Sequence, residues 1–484
     1  MKLDNLLLNI NTIKILGDKI IDIDSITNNS EKVLEKSMFV AIKGNNSDGH
    51  NYIDQAILNG AKCILCQIVP KKIVTSITYI IVRNSRSEYS KICSNFFDNP
   101  SEKLNLIGIT GTNGKTTTAT FLYEILKLQN IKSGLISTNC IKIDDEKFDT
   151  NLTTPDSYEI NFYLNEMVSH GVKYCFMEVS SHSIVQDRIK GLNFKIGVFT
   201  NISHDHLNYH KTFKNYIEAK KIFFDNLSSK AVSLYNSDDK NGRIMIQNTP
   251  SKIKSFSIHK NSDYKIKIVE NNLEGLVFEI QNNIIHSQIS GNHNAYNLLA
   301  AYAVCDLLGL EKQKITQSLS ILKSVEGRFE VIYENNKIGI VDFAHTPDAI
   351  KKVLLSLRQY VSEKNKLITI VGCGGGRDKL KRFKMGSISS SLSDISIYTS
   401  DNPRDEDPNQ IIKDMLEGVE TENRDKVIVI ENREKAIEKG VKLSNDKDVV
   451  VVLGKGHEKY QLIGNKKIEF SDKEKLSYYL KRAV

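Results

Sequence analysis

At 484 residues the chain is longer than one ordinary hydrophobic core can fill, so about two to four domains are expected. A hydrophobic share of 40% and a charged share of 26% exclude disordered and fibrous classes. The net charge of +8, from 66 basic and 58 acidic residues, comes without an Arg/Lys stripe interleaved with aromatics; nucleic acid is disfavoured and anionic small substrates remain.

The opening "MKLDNLLLNINTIKIL" has Asp4, Asn5 and Asn9 among its apolar residues, which argues against a signal peptide. No apolar run approaches the roughly 20 residues that span a bilayer, so no membrane span is expected and a cytoplasmic protein is. Residues 1 to about 100 read as a small α/β unit. "MFVAIKG" predicts a strand, "NYIDQAILNGAK" an amphipathic helix ending at Gly60, and "CILCQIV" a second strand. Of seven scattered cysteines, Cys63 and Cys66 make the one CxxC. No second pair or nearby His completes a zinc site, and reduced, buried thiols are expected. "DNPSEK" reads as a turn-rich linker.

From "LNLIGIT" to about residue 328, strands such as "YCFMEV" and "KIGVFTNI" alternate with helical "FKNYIEAKKIFFDNL", the pattern of a parallel sheet covered by helices. A β-rich insert follows, "YKIKIVE", "LVFEIQ" and "IIHSQIS", then the long helix "NAYNLLAAYAVCDLLGL". The remainder alternates again. "IGIVDFA", "KLITIVG", "DISIYTS", "KVIVIE" and "DVVVVLG" are continuous apolar strands of the parallel type. "DFAHTPD", "GCGGGRDK", "DNPR" and "GKGHE" begin where four of these strands stop, where such sheets bind ligands.

"LIGITGTNGKTTTATFLYEILKL" reads as a strand, a glycine-rich turn and a helix with an apolar face at Phe121, Leu122, Ile125 and Leu126. Gly111 and Gly114 let backbone N–H groups converge on phosphate oxygens at a helix N-terminus. Lys115 can reach the β- and γ-phosphates, and the Thr116 hydroxyl can ligate Mg²⁺. Strict GxxxxGK[ST] would need glycine where Ile109 stands, so the loop is a variant, and a purely structural glycine turn is the alternative.

"GTNGKTTT" resembles the ATP loop of the Mur ligases, the ATP-dependent amide-forming enzymes of peptidoglycan precursor synthesis. The resemblance runs along essentially the whole chain, in the family's order: "EVSSHSIVQDR", "TNISHDHLNYH", "YIEAK", "GNHNAYN", "GRFE", "DFAHTPD", "DNPR" and "GKGHE". Together these resemble the branch that adds the third residue of the peptide. The resemblance implies three α/β domains: a UDP-binding domain over 1–100, a P-loop-type ATP-binding domain over 101–328, and a Rossmann-like amino-acid-binding domain over 329–484. It implies an ATP- and Mg²⁺-dependent ligase acting on UDP-MurNAc-L-Ala-D-Glu and meso-diaminopimelate, working as a monomer.

By the same resemblance Thr112, Asn113 and Thr117 join the ATP loop, Asn294 and Asn297 contact adenine, and Arg328, Asp342 and His345 close on the nucleotide. On the residues alone, "HNAYN" could be a polar helix start and Asp342 a helix cap. Glu178, ending its strand, is placed for Mg²⁺, with Thr116 and His206. The family's "YxxAK" lysine is carboxylated by CO₂ into an anionic oxygen ligand for the metal; Lys220 is that residue, and its amine would have to be neutral, through burial, to react. Without the resemblance "EAKK" reads as a solvated helix face. Ser30, Asn45, Asn46 and Ser47 would hold the uridine end, and Thr153, Thr154, Ser180, Gln186 and Arg188 the sugar and peptide. Two departures fall here: "NSE" at 29–31 replaces the family's Asp-Ser-Arg, and Leu152 replaces its Asn.

In relatives that add meso-diaminopimelate, "DNPR" supplies an Arg to the distal carboxylate; lysine-adding relatives carry another residue. Arg404 would make bidentate bonds to that carboxylate and repel a lysine ammonium. Arg377, Asp401, Asn402, Pro403, Gly454 and Glu458 complete the implied amino-acid site. The alternative for Arg404 is a turn paired to Asp405 or Asp407. Competing functions are a lysine-adding or folylpolyglutamate-synthase-like ligase and, from another class, a P-loop switch hydrolysing ATP without an acceptor.

Overall fold

The alternating apolar strands and amphipathic helices build three large sheets in chain order, and Tyr460–Ile463 pairs with Lys466–Glu469 in a separate two-stranded one, in a computed structural model that describes residues 1–44 and 47–483. The first sheet has five strands, ordered Thr12–Leu16, Thr78–Val82, Ala61–Cys66, Ser37–Val40 and Ser25–Thr27. All pairings are parallel except that of Thr12–Leu16, an antiparallel edge strand not anticipated in the polar-broken N-terminal segment. All seven cysteines are buried free thiols.

The central sheet has eleven strands. Its middle is parallel, with Asn105–Thr110 between Phe194–Phe199 and Tyr174–Glu178. The expected β-rich insert is not separate. Tyr264–Asn272 pairs parallel with Lys252–Ser257, and the antiparallel strands Gly275–Ile280 and Asn283–Ser287 continue the same sheet. The helix Lys115–Leu128 buries Phe121, Leu122, Ile125 and Leu126, the expected face. Those four side chains contribute roughly 1.5–3 kcal/mol each. Thr116, Thr117 and Thr118 weaken the helix by less than about 0.7 kcal/mol each, so packing wins. Asn292–Leu307 is buried nearly all round, wedged between the first helix and the sheet, which explains its lack of a polar face.

The C-terminal sheet has six strands. Five are parallel, in the order Lys337–Asp342, Val449–Leu453, Leu367–Val371, Ile395–Tyr398 and Val427–Val429, and Glu330–Glu334 adds an antiparallel edge. Val449–Leu453 is buried at every residue, as a strand covered on both faces requires. Because these strands run the same way, the segments following Asp342, Val371, Tyr398 and Leu453 emerge along one edge. Among the described residues no helix is long and apolar enough to cross a membrane.

Candidate active site

The carboxyl-end loops of the central and C-terminal sheets line one cleft of about 1700 Å³. Glu178 pairs with Ile109 in the parallel register, so the phosphate loop and the Glu178 carboxylate leave the sheet side by side. Gly114 has φ +85°, and a Cβ there would sit 2.5 Å from Asn297 Oδ1. Thus only glycine lets the loop pass this close to the helix Asn292–Leu307. Asn297 Oδ1 accepts from the Thr118 hydroxyl at 3.3 Å, and its amide donates to Asn294 Oδ1 at 3.0 Å. Lys115 turns back on its own loop, donating to the carbonyls of Gly111 at 2.9 Å and Thr112 at 2.8 Å. The Thr112 hydroxyl lies 3.1 Å from that of Tyr216, and Thr117 is buried in the first helical turn. Asn113 donates to Asp348 Oδ2 at 3.2 Å, tying the loop to the helix Pro347–Arg358 across the cleft.

Glu178 is fully buried; Oε1 accepts from the Thr138 N–H at 2.7 Å, while Oε2 has no partner. Arg328 donates to the Thr116 hydroxyl at 3.3 Å, and its guanidinium lies 4.3 Å over the Phe343 ring. His206 faces the same cleft, and burial pushes its pKa well down, leaving the neutral ring a metal requires. Lys220 is only 1% exposed and lies beneath the loop rather than on the cleft wall. It donates to Gly111 O at 2.9 Å and to Thr110 Oγ1 at 3.4 Å. Burial, and then the neighbouring Lys115 charge, lower its pKa well below the ordinary lysine value. The solvated-face reading of "EAKK" therefore fails: Lys221 is the outward residue, paired with Asp225 at 2.7 Å.

Among the described residues no three His, Cys, Asp or Glu side chains gather as a ready-made metal-ligand set. The donors nonetheless fit Mg²⁺ held jointly with phosphate. An orphaned buried carboxylate oxygen and a threonine hydroxyl are hard oxygen ligands, and this ion keeps few protein ligands beside its substrate phosphates.

Asp342 lies between Arg328 and the strand it ends. Its carboxylate accepts from the N–H groups of Phe329 and Ala344, each at 2.7 Å, and burial raises its pKa. It thus braces the Arg328 segment rather than capping a helix; Thr346 caps the helix that follows. His345 lines the cleft, with Nδ1 2.8 Å from Phe343 O and its pKa held at about 4 by burial.

Thr153 lines the cleft, and Thr154, Ser180, Gln186 and Arg188 gather beneath Glu178. The Thr154 hydroxyl donates to Glu178 O at 2.7 Å and accepts from the Ser180 N–H at 3.1 Å. Arg188 donates to Thr154 O at 2.8 Å and to Gln186 Oε1 at 2.6 Å. Ser30 and Ser47 do not line the cleft. Ser30 is buried in the first unit, its carbonyl accepting from the Asn59 side chain, and Ser47 is exposed. Asn45 and Asn46 lie outside the described residues.

At the C-terminal edge the cleft adjoins a smaller cavity of about 150 Å³, lined by Arg377, Asp401, Asn402, Arg404, Gly454 and Glu458. Arg404 has φ +54°, a conformation a side chain pays for, fixed by a bridge in which its N–H donates to Leu462 O and its carbonyl accepts from Gly464. Its Nη1 donates to Gly375 O at 2.7 Å. Among the described residues it makes no ion pair, with Asp405, Asp407 or any other acid. Pro403 is buried, its carbonyl against Gly375. Asp401 faces the Gly454 backbone and accepts from the Asn402 N–H. Glu458 accepts from Asn402 and from the fully buried Lys455, each at 2.8 Å. Lys455 and Asp205, the latter lining both cavities, escaped the sequence reading although both stand inside quoted motifs. Only tertiary contacts distinguish them from surface charges.

Three family models match the chain in order: "Mur ligase family, catalytic domain" over residues 22–98, "Mur ligase middle domain" over 109–305, and "Mur ligase, glutamate ligase domain" over 327–456. The UDP-N-acetylmuramoyl-L-alanyl-D-glutamate–2,6-diaminopimelate ligase of Phocaeicola vulgatus is 45% identical, covering 98% of this chain and 99% of that protein. The protein of the same name from Bacteroides fragilis is 46% identical, with 98% of each chain covered. A solved structure of a ligase of this name matches with a TM-score of 0.70 at 28% identity, over 99% of this chain and 98% of that one. MurF from Acinetobacter baumannii, at 18% identity and a TM-score of 0.64 over 94% of this chain and 95% of that one, shares the fold. From its first sheet to its last, this chain belongs to the Mur ligase family.

Proposed function

We propose that this chain is an ATP-dependent ligase joining meso-diaminopimelate to the D-Glu γ-carboxyl of UDP-MurNAc-L-Ala-D-Glu in peptidoglycan precursor synthesis. It would work in the cytoplasm as a monomer. The relatives named for this reaction support the reading, and one observation carries the choice of acceptor. Arg404 is held in a strained conformation at the cavity wall, anchored through one nitrogen and unpaired with any acid among the described residues. A second carboxylate on the incoming amino acid would meet its remaining donors.

Oxide is too poor a leaving group for an amine to displace, so the carboxylate is first phosphorylated by ATP; the amine then attacks the acyl phosphate and expels phosphate. The loop N–H groups would cradle the phosphates, with Lys115 leaving the Gly111 and Thr112 carbonyls to follow the charge. Arg328, braced through Asp342, stands over the same loop. Asn294 and Asn297 would border the base, and Thr153 with the Arg188 group the peptide. Glu178 and Thr116, with His206, would hold Mg²⁺, which when bound neutralises phosphate charge. The neutral Lys220 amine is the form that would take up CO₂ and release a proton, giving an N6-carboxylysine whose anionic oxygen would join the Mg²⁺ ligands. The first unit, to about residue 100, would hold the uridine end.

Turnover by Arg404→Ala tests the acceptor site. It should raise KM for diaminopimelate by at least about tenfold, the size of one lost charge-assisted contact, with KM for ATP unchanged. Undiminished incorporation would remove Arg404 from that role.

A further inference from the structure

Two loops meet at the acceptor cavity, 374–377 and 401–406, and each carries a guanidinium into it, Arg377 and Arg404. Like charges at such a wall push apart, and the cleft around Arg377 and then the Arg404 charge lower its pKa. Something must hold the loops together. The Gly375 N–H donates to Asn402 O at 2.9 Å, and Arg404 donates to Gly375 O. A further tie between the loops comes from Glu406. Its Oε1 accepts from the Gly376 N–H at 2.6 Å, one residue before Arg377, while its own loop carries Arg404 two positions earlier. Behind it Arg382, fully buried, donates to both Glu406 oxygens at 2.9 Å and to Asp414 at 2.8 Å. The buried guanidinium grips Glu406 through both carboxylate oxygens and so holds that carboxylate in place, with Asp414 as its second partner.

We propose that Glu406, backed by Arg382, is a positioning residue that fixes the spacing of Arg377 and Arg404 and thereby favours an acceptor bearing a second carboxylate. The inference rests on the acceptor reading above. Glu406 touches no substrate itself; it sets where two positive groups stand before the amino acid arrives.

The test compares steady-state kinetics of the full chain and its Glu406→Ala, Glu406→Gln and Asp414→Asn variants, with meso-diaminopimelate or L-lysine as acceptor. Glu406→Ala should raise KM for diaminopimelate by about tenfold or more, with kcat and KM for ATP nearly unchanged, and should lower the preference for diaminopimelate over lysine. Glu406→Gln keeps an acceptor for the Gly376 N–H and should fall between; it decides by the same criterion if the alanine variant fails to fold. Asp414→Asn loosens Arg382 without touching Gly376 and should leave KM for diaminopimelate unchanged. The proposal is overturned if the Glu406 variants keep the original KM, if their losses spread equally over kcat and every KM, or if Asp414→Asn matches them. An unmodified chain that uses lysine and not diaminopimelate overturns the acceptor reading itself, and is seen before any variant is made.

Discussion

Lys220 and Lys221 show how one residue of helix rotation separates two fates. Lys221 bonds Asp225 at the surface, and Lys220 points under the phosphate loop, where burial favours the neutral amine. Lys220→Ala should lower kcat on the order of 10²–10³-fold, the usual loss when one electrostatic group near a transferring phosphoryl is removed, with partial rescue by added short carboxylic acids. Lys221→Ala should stay within about twofold, since its amine pairs with Asp225 and touches neither the loop nor the cleft. Rate assays on the two variants decide. Local pattern alone could not separate the two, because "EAKK" carries no signal for which lysine meets Gly111 O; only the family resemblance singled out Lys220. His293 gives a second expectation. It is packed against Phe329, its Nδ1 is unpartnered, and burial holds its pKa down at about 4 against an ordinary 6.5. The unfolded chain gains a proton near 6.5 that the folded chain refuses. Stability from the neutral ring is therefore whole above that pH and is lost as pH falls toward 4, by up to about 1.4 kcal/mol per unit. His457, lowered to about 3, acts in the same direction, and Asp342, raised by burial, opposes it. The melting temperature should fall as pH drops through this window, and His293→Gln should flatten the fall; a flat profile in the original chain contradicts the argument.

Among elements, the strand–loop–helix unit over residues 105–128 was the most legible, because everything it needs is local: apolar strand, two glycines, lysine, amphipathic helix. Its tight approach to Asn297 was not legible, since that partner comes nearly two hundred residues later in the chain. Gly114→Ala should therefore cost on the order of 1–3 kcal/mol from the positive φ, and should displace Asn297 and weaken ATP binding; calorimetry with ATP would register both. The C-terminal strands were readable from their continuous apolar runs, and residues of the segments at their ends line the two cavities. The guesses about polar side chains within those segments fared less evenly. A turn ion pair for Arg404 gives way to a backbone carbonyl partner, and a helix cap for Asp342 gives way to a brace on the Arg328 segment. Such partners are chosen by packing between distant loops, which periodicity does not encode. The insert over 264–287 was read as β but not as part of the central sheet, because one short parallel contact at Phe256 and Ser257 joins it.

At the scale of the whole molecule, the cleft is where the account stands or falls. Arg328 reaches Thr116, and through Asp348, which accepts from Asn113, the C-terminal unit touches the phosphate loop directly. The acceptor cavity opens from the same space through Asp205, His206, Arg377 and Arg404. A nucleotide bound at one wall and a two-headed amino acid at the other would have their reacting atoms brought together by that shared geometry. The most direct measurement is the mass of the product formed from ATP, UDP-MurNAc-L-Ala-D-Glu and an equal mixture of meso-diaminopimelate and L-lysine. The account predicts a product extended by diaminopimelate, with ADP and phosphate released in step. A product carrying lysine alone, or ATP consumed with no extended product, would contradict it.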